Sequence, residues 1–123
     1  MVWTTRWSNR RRQRVASALA DHKADALLVS SPASIRYLTG YAGSNGLVLI
    51  TGSDAHFFTD PRYAIEAQQN IDCKVHVCRK PLIDEAAAIS KRKRLKRLGF
   101  EPGWMQVDTY DRLKAAVGGV KLQ

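Results

Sequence analysis

The chain has 123 residues, 45% of them hydrophobic, and a formal net charge of +9 from 20 Lys and Arg against 11 Asp and Glu. That length and apolar content suit one domain with one core. The longest apolar runs, such as Leu47 to Ile50, fall far short of the roughly 20 residues that cross a bilayer, and two cysteines, Cys73 and Cys78, read as reduced thiols rather than a disulfide scaffold.

No apolar stretch follows the basic Met1–Arg14 to act as a secretory core, so a cytoplasmic chain is expected. Residues 1–7 precede the first element and are expected to be flexible. Ser8 is the expected cap of a helix running to about His22, with Val15, Ala18 and Leu19 on its apolar stripe and its arginines in water. Ala26–Val29, continuously apolar, predicts a strand buried on both faces and hence interior to a sheet. Pro32 stands like a first helical residue after a serine pair, so Pro32–Thr39 is expected to be a short helix stopping at Gly40, with Ile35 and Leu38 inward.

Gly43-Ser44-Asn45-Gly46 reads as a loop, followed by an antiparallel pair, Leu47–Thr51 and Ala55–Thr59, turned through Gly52, Ser53 and Asp54. Asp60-Pro61 opens a helix with Tyr63, Ala64, Ala67 and Ile71 inward. Beyond it come a strand at Lys74–Cys78, a helix from Leu82 to about Arg94 after Pro81, and a strand at Leu98–Phe100. A helix from about Asp108 to Val117 and a final strand at Val120–Leu122 complete the series. Strands alternating with helices plus one hairpin predict an α/β domain, a mixed sheet with helices on both faces.

Chemistry is sparse. His22, His56 and His76 stand singly, and the interval from Cys73 to Cys78 is unlike a zinc site, so no intrinsic metal centre is expected. Ser44 lacks the G-x-S-x-G setting of an activated nucleophile; the glycines around it suit a tight turn and close backbone approach. Excess positive charge sits in Arg10–Arg14 and in Lys91, Arg92, Lys93, Arg94, Lys96 and Arg97, both expected on solvated helix faces. With no interleaved aromatics, specific nucleic-acid recognition is disfavoured. Asp60, Arg62 and Tyr63 form the densest polar cluster after a strand, where α/β folds gather functional groups. Asp60 is also a natural helix cap, and Arg62 a partner for it or for Glu66.

Three stretches together, Ser31-Pro32-Ala33-Ser34-Ile35-Arg36-Tyr37-Leu38-Thr39-Gly40-Tyr41, Gly43-Ser44-Asn45-Gly46 and Phe58-Thr59-Asp60-Pro61-Arg62-Tyr63, resemble the amino-terminal domain of the creatinase and Xaa-Pro peptidase family. This family includes aminopeptidase P and prolidase. Asp25–Val29 and Leu98-Gly99-Phe100-Glu101 extend the resemblance over roughly residues 8–122. It departs from the family pattern at Ser34, commonly Asn, and at Pro61, commonly Gly, where proline fixes φ and removes an amide donor.

The resemblance implies a sheet of about six strands with a ribonuclease H-like motif, fused in the parent enzymes to a pita-bread catalytic domain. That domain binds two divalent metal ions, Mn, Zn or Co, and hydrolyses Xaa-Pro bonds with a metal-bound hydroxide. Its ligands, two Asp, one His and two Glu, have no counterparts in this chain, and neither catalytic nor metal residues are expected here. By the same resemblance the domain supports a homodimer and lines the path of a proline-containing peptide, with Tyr41, Gly43, Ser44, Asn45, Arg62 and Tyr63 as access or interface residues. The competing expectation is a stand-alone basic module for nucleic acid or an acidic protein.

Overall fold

The computed structural model describes the backbone of residues 2–123 and the side-chain surroundings from Trp7 onward. Helix α1 (Val2–Ala18) runs into a 3-10 turn at Ala20–His22 and then strand β1 (Ala26–Val29). Helix α2 (Pro32–Thr39), β2 (Leu47–Thr51) and β3 (Ala55–Thr59) follow. A 3-10 turn at Pro61–Tyr63 leads into α3 (Ala64–Asn70) and β4 (Lys74–Val77). The chain then forms α4 (Leu82–Arg92), β5 (Arg97–Phe100), α5 (Val107–Val117) and β6 (Lys121–Leu122).

The six strands form one sheet in the order β4-β3-β2-β1-β5-β6. β2 is antiparallel to both neighbours, β1 and β3, and the remaining pairs are parallel. Side chains on a strand alternate between faces, and that alternation builds two cores. Val48 and Ile50 of β2 and Phe57 of β3 meet Ile35 and Leu38 of α2 and Ala67 of α3 on one face. Leu47, Leu49 and Phe58 meet Ile83 and Ala86 of α4 and Leu113 of α5 on the other.

Local signals act as expected in the middle of the chain. Ser31 Oγ accepts the Ser34 amide, Pro32 occupies the first turn, and Gly40 ends α2 at φ 79, a left-handed conformation that glycine adopts without penalty. Pro61 likewise falls in a first turn, where no amide donor is needed, with Asp60 capping it through the Arg62 amide.

Three expectations are corrected. The first helix begins at Val2, with Ser8 buried in its interior rather than capping it; the segment before Ser8 is therefore helical, and Met1 lies outside the described residues. Arg12 does not face water, being only 5% exposed. Its guanidinium ion-pairs with Asp72 and donates to the Leu38 carbonyl at 2.9 Å, partners that make a buried cation tenable. Nor is the second basic run one helical face. α4 stops at Arg92, Arg94 turns left-handed at φ 57, and the amides of Lys96 and Arg97 bind Asp25 Oδ2 at 2.8 and 2.9 Å, steering the chain into β5.

His56 and His76 face each other across β3 and β4, His56 Nδ1 lying 2.9 Å from His76 Nε2, so one ring donates and the other accepts. His56 Nε2 stands 3.1 Å from Asp54 Oδ2, off the line a hydrogen bond requires. Burial acts to raise the Asp54 pKa, but hydrogen bonds from Lys93 and Thr51 bring it down to about 2. Desolvation lowers both histidines below the ordinary 6.5. The unfolded chain therefore binds protons first as pH falls, and stability is lost below 6.5. We expect Tm to fall by several degrees between pH 7.5 and 5.5, and a H76F variant to flatten that dependence; an unchanged slope in the variant would place the titration elsewhere.

Candidate functional site

Because β1, β3, β4, β5 and β6 run in one direction, their carboxyl ends share one rim of the sheet. Ser30, Asp60, Cys78 and Glu101 follow those strands, and Asn45-Gly46 enters the same rim ahead of β2. Ligands of α/β sheets gather at this end.

Asp60 organises the rim. Its Oδ1 accepts the Arg62 amide at 2.9 Å and Nε at 3.0 Å, while Oδ2 accepts Arg62 Nη2 at 2.9 Å and Asn45 Nδ2 at 2.6 Å. The Arg62 side-chain bonds, followed by the Asn45 bond, hold the Asp60 carboxyl well below the usual carboxylate range. The same bonds to Asp60, reinforced by its charge, raise Arg62. Asp60 is thus an anchor for a fixed guanidinium rather than a proton donor or base at neutral pH.

Aromatic packing fixes the loop above it. The Arg62 guanidinium lies 5.1 Å from the Tyr63 ring centre, and Tyr63 Oη is 2.6 Å from Ser44 Oγ. Tyr41 meets Tyr63 edge-on at 5.9 Å and tilts against Phe57 at 4.7 Å. Its hydroxyl approaches the Asn45 carbonyl and Thr59 Oγ1, each at 3.4 Å, and burial pushes its pKa up. A Cβ at Gly43 would collide with the Tyr41 phenol, so glycine there lets the loop close over the ring.

All six residues singled out from the sequence therefore meet in one network. They divide by position: Tyr41 is buried beneath the loop, Ser44 and Arg62 are exposed, and Gly43, Asn45 and Tyr63 are half-buried. Asn45 is the one of the six that lines the adjoining cleft of about 900 Å³, together with Gly46, Asp60 and Pro61.

The same cleft is also lined by residues the sequence reading missed, Arg79, Lys80 and Arg112. Arg112 is committed to Asp84 through two bonds of 2.8 Å. Arg79 and Lys80 are exposed and stand in no ion pair among the described residues. Their signal was a dibasic step directly after a strand. The cleft can hold a carboxylate by charge and hydrogen bonding, but no histidine lines it. The Cys78 thiol at its edge is pushed up to about 11 by burial, far from a neutral-pH nucleophile.

Glu101 was also missed as a site residue. It clasps β5 to the start of α2: Oε1 accepts the Ser30 and Ser31 amides at 2.7 and 2.9 Å, and Oε2 accepts the Ser31 and Ser34 hydroxyls, both at 2.9 Å. Ser34, where the family commonly has Asn, is one of its four donors.

A two-metal centre does not fit these residues. Among the described side chains no three His, Cys, Asp or Glu converge to hold an ion, and the oxygens of Asp60 and Glu101 are occupied by donors. Nor is any described helix long and apolar enough to cross a membrane.

Residues 11–123 match the creatinase/prolidase N-terminal domain family. The isolated N-terminal domain of the cytoplasmic peptidase PepQ from Mycobacterium tuberculosis H37Rv superposes with a TM-score of 0.87 at 32% identity, covering 93% of this chain and 91% of that one. A Xaa-Pro dipeptidase from Bacillus anthracis superposes at 0.88 with 28% identity, over 94% of this chain but 32% of its own. The uncharacterized peptidase YqhT of Bacillus subtilis is 34% identical over 99 residues, 80% of this chain and 28% of that protein. The chain thus spans under a third of the curated relatives it matches. By the family match over residues 11–123 and by these superpositions, the chain belongs to the creatinase/prolidase N-terminal domain family.

Proposed function

We propose that the domain is the non-catalytic amino-terminal part of a cytoplasmic Xaa-Pro metallopeptidase, a dipeptidase or aminopeptidase. In this reading it supports a homodimer and frames the entry of proline-containing peptides to a separate pita-bread domain, which holds two divalent ions, Mn, Zn or Co. The observation that carries it is the carboxyl-end rim, where a rigid Asp60–Arg62–Asn45 network borders a cleft with two uncommitted cations, Arg79 and Lys80. Cations beside an entrance, Arg62 held on Asp60 and Arg79 and Lys80 exposed at the cleft, can meet a peptide carboxylate without performing acid or base chemistry. Matching nine-tenths of isolated amino-terminal domains but a third of a complete dipeptidase supports the same partition. The mycobacterial relative's cytoplasmic description supports the compartment.

In the peptidase assembled with its catalytic domain, R62A and K80A are each expected to raise KM for a Xaa-Pro dipeptide by about five- to tenfold, with kcat within about twofold, as loss of substrate positioning without loss of a reacting group requires. Unchanged KM in both variants would remove the access role. The domain alone, given Mn²⁺ and the same peptide, should release no proline. The nucleic-acid alternative gains nothing from the basic run, which breaks at Arg94 and passes into a strand.

A further inference from the structure

Strands β1, β5 and β6 form a parallel block, and parallel sheets are ordinarily covered by helices on both faces. One face of this block is covered: Leu98 and Leu122 pack with Leu113 and Val117 of α5. The other is open beside the carboxyl-terminal half of α1. There a groove of about 780 Å³ has Val15, Ala18 and Leu19 as one wall and Leu27 with Gly99 as its floor. A Cβ on Gly99 would press to 3.3 Å from Leu27 Cδ1, so glycine keeps the floor low.

The side-chain charge lining this groove is positive. Lys23, Arg97 and Lys121 line it, and no carboxylate side chain does. Among the described residues Lys23, Arg97 and Lys121 take part in no ion pair. Asp25 lies close by, accepting the amides of Lys96 and Arg97 and partly offsetting the charge of their side chains, which leaves Lys23 and Lys121 as the cations farther from any acid. The groove thus combines an apolar floor with surrounding cations that form no ion pair, on a sheet face short of a helix.

We propose that this groove docks an acidic amphipathic helix of a partner, its apolar stripe on Leu27 and α1 and its Asp or Glu residues against Lys23, Arg97 and Lys121. A second copy of this chain is a poor occupant. Its net charge is +9, α1 carries five arginines and no acid, and α4 ends in Lys91 and Arg92. α5 spends its apolar face on the core through Leu113 and Val117. The groove shares no residue with the carboxyl-end cleft, so this inference stands apart from the peptidase reading.

The test is titration of the protein with a designed 18-residue helix carrying Leu at i, i+3, i+4 and i+7 spacing flanked by Glu, followed by amide NMR and by fluorescence anisotropy. Saturable shifts are expected at Leu27, Gly99 and Lys121, with binding about tenfold or more weaker for a scrambled peptide of the same composition and for the exposed-site variants K121E and R97E. Equal binding of the scrambled peptide, shifts centred on Lys91–Arg94, or unchanged affinity in both variants would reduce the effect to general charge attraction and overturn the proposal. It would also fall if decanoate moved the groove resonances while the helix did not, or if they moved with protein concentration alone.

Discussion

Replacing Asp72 with Ala is expected to lower stability by about 3–5 kcal/mol, because it strands a buried guanidinium. Arg12 sits in α1 with 5% of its side chain exposed, and Asp72, in the turn after α3, is its anionic partner. The Leu38 carbonyl accepts a second Arg12 nitrogen, so one side chain joins α1 to the end of α2 and to the approach to β4. R12M is expected to be milder, since Asp72, with 23% of its side chain exposed, can turn to water. The decisive comparison is R12M/D72A. Its stability in urea should exceed that of D72A alone; a double variant as unstable as D72A would mean that lost packing, not an orphaned cation, sets the effect.

Glu101 should yield the next largest loss. Removing its carboxylate in E101A leaves the amides of Ser30 and Ser31 and the hydroxyls of Ser31 and Ser34 without their acceptor, a loss of about 2–4 kcal/mol given partial access to water. E101Q keeps one acceptor oxygen and is expected to fall between. Burial alone would raise the Glu101 pKa, but the amides of Ser31 and Ser30 and the two hydroxyls together hold it below the ordinary 4.5. With the folded value depressed, this carboxylate's stabilisation is complete above 4.5 and is lost as pH falls through the lower folded value. E101Q should therefore lose less stability than the parent between pH 5 and 3, read as urea midpoints; parallel curves would show that the clasp does not depend on charge.

Both predictions rest on contacts that no local pattern announces. Arg12 and Asp72 are 60 residues apart, and Glu101 and Ser30 are 71 apart. Arg12 reads in sequence as one more solvated arginine, because a helix's apolar period says which face turns inward but not whether a cation on that face finds an anion there. Glu101 reads as a polar residue after a strand. Its role appears once β5 pairs with β1 and its carboxylate reaches the start of α2. The basic run misled for a related reason: α4 does carry Lys91 and Arg92, but Leu95, packed against the core, and Asp25, binding the next amides, end the helix there.

At the candidate site the balance differs. Asp60 as a cap, Arg62 as its partner and Tyr63 turning inward were legible because they lie within four residues of one another, where backbone geometry leaves few choices. The Asn45 bond to Asp60 and the Ser44–Tyr63 contact span 15 and 19 residues. Resemblance to family motifs brought these residues together in the sequence reading; their spacing alone did not. Arg79 and Lys80 escaped notice because what brings them to the cleft beside Asp60 and Asp108 is the pairing of β3 with β4 and the packing of α5, a property of space.

The sequence by itself determined the elements in the middle of the chain and which way their apolar faces turn. Ser31-Pro32 and Gly40 bound α2, two short apolar runs joined through Gly52, Ser53 and Asp54 set the hairpin, and Asp60-Pro61 opens the next turn. These are short-range effects of φ restriction, capping and periodic burial, written in consecutive residues. Only the tertiary structure decided that five strand ends share one rim, that Arg12 is buried with Asp72, that Glu101 clasps α2, and that one face of β1, β5 and β6 stays open between cations. Each of these depends on distances between residues far apart in the chain, which are set once the sheet order β4-β3-β2-β1-β5-β6 is in place.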